Sequence, residues 1–109
     1  MSLSEASAAL LRIQRDGGGG IAEQRAAEDA FMAELARARD PDEIDRVLAT
    51  DTLDELPASL KSAAYERRLE IGPRTPAVLR GYADHLWLHG PEWDEKAEAL
   101  RAEADRLEP

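Results

Sequence analysis

The chain has 109 residues, no cysteine and a formal net charge of −9. That length supplies one modest core, with about 60–70% of the unfolded surface buried, and the missing thiols exclude both a disulfide framework and thiolate metal sites. The acidity argues against nucleic acid and anionic membranes, because counterion release needs clustered Lys and Arg. The nearest approach to such a cluster, Lys61, Arg67, Arg68 and Arg74, is diluted by Glu66 and Glu70.

Helical periodicity runs through the sequence and no strand alternation interrupts it. Ser2 and Glu5 have capping-box spacing at the start of a first helix over about residues 4–15, with Leu3, Leu10 and Ile13 on one side. Asp16 and four glycines, 17–20, then read as a flexible linker, since that much backbone entropy opposes a helix. A second helix over about 21–39 repeats Ala27, Phe31, Leu35 and Ala38 at helical spacing.

Asp40-Pro41-Asp42-Glu43 ends that helix and opens the next: a cap, a proline suited to the first turn, and acids at the positive end of the dipole. Ile44, Val47 and Leu48 give the short third helix its apolar side, and residues 51–56 read as a turn. Pro57 belongs in the first turn of a fourth helix, which Gly72-Pro73 stops. Thr75-Pro76 repeats the cap-then-proline signal for a fifth helix that reaches His89 before Gly90-Pro91. A sixth, from about 92 to 107, carries one narrow stripe of Trp93, Ala97, Leu100, Ala104 and Leu107. The fifth is different: Val78, Leu79, Tyr82, Ala83, Leu86, Trp87 and Leu88 wrap much of its circumference, which predicts contacts on more than one side.

From about residue 57 to the C-terminus the sequence resembles a tetratricopeptide repeat. Tyr65-Glu66-Arg67-Arg68-Leu69-Glu70-Ile71-Gly72-Pro73 is similar to the end of a repeat's second helix, and Arg74-Thr75-Pro76 to the turn between repeats. Counted on without a gap, Leu79, Tyr82, Ala83, Leu86 and Gly90 fall where the next repeat's first helix has its large, large, small, large and turn-glycine positions. The match then needs a short insertion at Gly90-Pro91-Glu92-Trp93-Asp94-Glu95, after which Ala97, Ala104 and a terminal Pro109 fit again. Residues 42–49 would be the preceding first helix, without its aromatic and small residues. Residues 2–39 match no repeat pattern.

The resemblance implies an all-α fold of antiparallel helical hairpins in a right-handed stack; the alternative is an unrelated helical bundle. It divides the chain into an N-terminal helical segment (1–16), a glycine linker (17–20) and a helical domain (21–109). It also implies that the concave face of the fifth helix, Ala77, Arg80, Asp84, Trp87 and Leu88, lines a groove for a partner peptide. Stacked repeats usually need about three units to bury their faces, so the second helix, the N-terminal segment or another copy of the chain must complete the core.

Catalytic patterns are not found. His85 and His89 share a helix face, but zinc needs further ligands, such as Glu92 or Asp94, and Leu86 stands where a zinc hydrolase has glutamate. The pairs Asp42/Glu43, Asp51/Asp54 and Asp94/Glu95 lie at helix starts or on polar faces, where capping and solvation account for them. There is no Gly-x-Ser-x-Gly elbow, and the glycine run lacks the Lys-Ser/Thr of a phosphate loop.

The reading is therefore a non-enzymatic, cofactor-free and metal-free protein-interaction module, an adaptor, regulator or chaperone-like binder for a peptide or helix. The alternatives are a self-assembling structural domain, hence a homo-oligomer, and a small metal-dependent enzyme. With no apolar run near the roughly 20 residues of a membrane span and no basic start to a leader, the expected location is cytoplasmic. Two lysines among fourteen basic residues, with heavy use of alanine, are the composition of a high-GC bacterial coding sequence.

Overall fold

A computed structural model of the chain describes residues 1–16, 20–51 and 55–108. Among these the protein is all-helical, with no strand. The helices are α1 (Leu3–Arg15), α2 (Ile21–Arg37), α3 (Pro41–Thr50), α4 (Ala58–Ile71), α5 (Pro76–Trp87) and α6 (Asp94–Leu107), with one 3-10 turn at Pro91–Trp93. No helix among the described residues is long and apolar enough to cross a membrane.

The helix starts follow local chemistry. The Ser2 hydroxyl accepts from the Glu5 N–H while the Glu5 carboxylate accepts from the Ser2 N–H, a complete capping box. Asp40 accepts from the Asp42 N–H at 3.0 Å with Pro41 in the first turn, and Thr75 caps α5 through the Val78 N–H. Pro57 sits one residue earlier than expected, at the cap, where its carbonyl accepts from the Leu60 and Lys61 N–H groups. At the other ends, Gly72 (φ 61°) and Gly90 (φ 126°) take the positive φ that an L side chain resists.

Three boundaries move. α5 stops at Trp87, short of His89, with Leu88 as its C-cap. α2 stops at Arg37, not Arg39: Ala38 turns extended, its side chain is buried, and its carbonyl accepts from Arg67 Nη2 at 2.8 Å. α6 begins at Asp94, because Pro91–Trp93 forms the 3-10 turn first. The linker glycines 17–19, and Asp54 of the turn at 51–56, lie outside the described residues, as does Pro109.

The chain forms two compact units, Met1–Ile71 and Gly72–Pro109. These bounds differ from the division after residue 20 that the sequence suggests. α1 is not a separate segment, since Leu3, Leu10 and Leu11 share one core with Phe31 and Leu35 of α2, Ile44 and Val47 of α3, and Leu60 and Ala64 of α4.

Within Met1–Ile71, α1 packs on α2, and α3 on α4. The two hairpins then meet like with like, α1 beside α3 and α2 beside α4. The polar contacts give the directions. The first residue of α1 donates from the Leu3 N–H to Glu43 at the start of α3, at 3.0 Å. Arg67 near the end of α4 reaches the carbonyl just past α2. Arg68, late in α4, binds Asp45, early in α3, at 2.8 Å, so that hairpin is antiparallel. α1 and α2 thus complete the core of α3 and α4.

In Gly72–Pro109, α5 and α6 form a second kind of hairpin. Leu79, Tyr82, Ala83 and Leu86 of α5 and Ala97, Leu100 and Ala104 of α6 are buried. The stripe on α6 is covered in its middle and open at its ends, where Trp93 is 43% and Leu107 53% exposed.

Candidate interaction face on the fifth helix

All five residues expected to line a groove lie on one side of α5. Ala77, Asp84, Trp87 and Leu88 are exposed and Arg80 half-exposed. Trp87 is 51% and Leu88 73% exposed, so neither is a core residue.

The face is organised by α6. Arg80 Nη2 stands 3.3 Å from Asp105 Oδ1, and its Nη1 is 3.7 Å from Glu108 Oε2. One turn further on, Asp84 Oδ1 accepts from Arg101 Nη2 at 3.0 Å. The Arg101 guanidinium also lies over the indole of Trp87, its Cζ 5.3 Å from the ring centroid. Arg101 therefore holds an acid on one turn of α5 and an aromatic on the next. Exposed ion pairs of this kind contribute about 0–1 kcal/mol each, and a cation over an exposed indole about 0.5–1 kcal/mol. Their effect is to restrict the rotamers of Trp87 and Arg101 on a solvated surface. Arg101 and Asp105 were not legible as members of the face, because their role depends on how α6 is rotated against α5.

The opposite side of α5 is enclosed. His85 is buried, stacked on Tyr82 with ring centroids 6.4 Å apart, and tilted against His89 at 4.5 Å. Lys96 Nζ lies 5.3 Å from the centre of the Tyr82 ring. The two histidines do share a face, as their spacing requires. Among the described residues no group of three His, Asp or Glu side chains is placed to hold a metal ion, so Glu92 and Asp94 do not complete a ligand set with them.

The four residues of the nearest basic cluster are each engaged by an acid. Lys61 pairs with Asp51, Arg67 with Glu70, Arg68 with Asp45 and Arg74 with Glu103. The pKa of Glu5 is held below the ordinary value by the Ser2 N–H and then the Ser2 hydroxyl, and that of Glu103 by the hydrogen bond from Arg74.

No protein-family model, curated protein or solved structure matches the chain.

Proposed function

We propose that the protein is an interaction module that receives a peptide or helix along α5, on Ala77, Arg80, Asp84, Trp87 and Leu88, with Arg101 and Asp105 of α6 as the rim. The observation that carries this reading is the exposure of two adjacent large apolar side chains, Trp87 and Leu88, inside a frame of fixed ion pairs. An aromatic anchor beside restrained polar groups is the composition of an interface hot spot. Recognition of a helix or extended segment by a helical groove works through anchors of this type.

The repeat-like, right-handed stack remains part of the same reading. Its support is the gap-free register from Pro73 to Gly90 and the like-with-like packing of the two hairpins in Met1–Ile71.

A photo-crosslinking amino acid placed at Leu88 in cells of the native host tests the proposal. The expected result is a crosslink to a different protein that disappears with Trp87→Ala. Crosslinks only between copies of this chain would favour self-assembly instead, and no crosslink at all would remove the binding reading.

A further inference from the structure

We infer that the segment received on this face is basic and amphipathic, with Lys or Arg side chains flanking an apolar anchor; this rests on the binding reading above. The register of the hairpin fixes the local chemistry. Arg80 meets Asp105 and Asp84 meets Arg101, so four residues forward on α5 correspond to four residues back on α6. Continued at the same step, Leu88 comes level with Ala97, and Trp87 with Glu98. Glu98 lies three residues before Arg101, and such residues are surface neighbours on a helix. Asp94, four residues before Glu98, continues the same row.

The row on α6 reads Asp94, Glu98, Arg101, Asp105, Glu108. With Arg80 and Asp84 from α5, the edge holds two arginines against five carboxylates. Both arginines are already committed, Arg80 to Asp105 and Glu108, and Arg101 to Asp84. Glu98 and Asp94 make no ion pair among the described residues. The uncompensated charge next to the exposed anchor is therefore negative. A cationic side chain entering beside Trp87 would meet Glu98 and the indole together, repeating the contact that Arg101 already makes from within the chain.

The same charge disfavours the other occupants. An acidic segment would face unpaired Glu98 and Asp94, and a second copy of this chain would bring its own net charge of −9.

The test is selection of a random peptide library, with peptides of about four helical turns, on the full chain. Counter-selection on Trp87→Ala removes peptides that stick to acidity alone, because that variant keeps every charge. Leu88→Ser serves as the counter-target if Trp87→Ala does not fold. The expected winners combine Lys or Arg with a leucine or aromatic anchor. Their affinity should fall about thirtyfold in Trp87→Ala, as for an aromatic hot spot, and about tenfold in Glu98→Lys, with a weaker salt dependence. Anchor-dependent winners that are acidic or neutral, or that ignore Glu98→Lys, would overturn the basic partner while leaving a binding face. An absence of any anchor-dependent winner, or Trp87-dependent dimers in sedimentation, would overturn both.

Discussion

Lys61 Nζ stands 3.2 Å from Asp51 Oδ2, and the Asp51 carboxylate is buried between the C-terminus of α3 and the first turn of α4. Its Oδ1 also accepts from the Glu55 N–H at 2.6 Å, and both oxygens accept from the Leu56 N–H. One carboxylate thus satisfies two backbone donors and one ammonium where the chain reverses. Asp51→Ala should cost about 3 kcal/mol, because buried donors lose their acceptor and a buried ion pair loses a member. Asp51→Asn, which keeps an acceptor oxygen, should cost clearly less. Urea titrations giving equal midpoints for wild type and Asp51→Ala would show that the carboxylate is replaceable by water.

The N-terminal helix is part of the core of Met1–Ile71. Leu10 is fully buried there, so Leu10→Ala should lose about 3 kcal/mol, within the usual span for a deleted core leucine. Leu88→Ala, at a position 73% exposed, should stay within about 0.5 kcal/mol. Calorimetry on the two variants separates the cases. Equal, small losses would mean that α1 is a passive appendage.

The lowered carboxylates of Glu5 and Glu103 link stability to pH. A carboxylate whose folded pKa is depressed contributes stability that is fully present above its unfolded value and is lost as pH falls through the folded value. Glu5→Gln/Glu103→Gln should therefore flatten the acid side of the stability curve. A glutamine amide oxygen in place of the Glu5 carboxylate would still accept the capping hydrogen bond, so the fold at neutral pH should persist. Parallel acid limbs for variant and wild type would contradict the linkage.

The parts legible in the sequence are those set by neighbours along the chain. Ser2/Glu5, Asp40-Pro41, Thr75-Pro76, Gly72 and Gly90 act within one turn, and each marks its boundary within a residue or two. The repeat register sets Trp87 and Leu88 on the outer side of α5, where both are exposed, whereas the apolar wrap of that helix alone predicts contacts on more than one side. What escaped was tertiary pairing. Arg68 reads as part of a basic cluster, yet it is buried because Asp45 on α3 meets it. Asp51 reads as one member of a solvated acidic pair, and burial depends on Lys61 arriving from α4. The rim residues Arg101 and Asp105 look like an ordinary polar face until the antiparallel register of α5 and α6 is known. The fusion of α1 into the first core was hidden by the glycine run, which looks like a separator.

The central claim is that Trp87 is a recognition anchor and not a core residue, and the unfolding free energy of Trp87→Ala tests it most directly. Half-exposed and contacted by Arg101, the indole should contribute no more than about 1 kcal/mol to stability. The variant should therefore fold with a nearly unchanged denaturation midpoint while losing the crosslink at Leu88. A loss of about 3–5 kcal/mol, the cost of emptying a buried aromatic site, would contradict the account, whatever happened to binding.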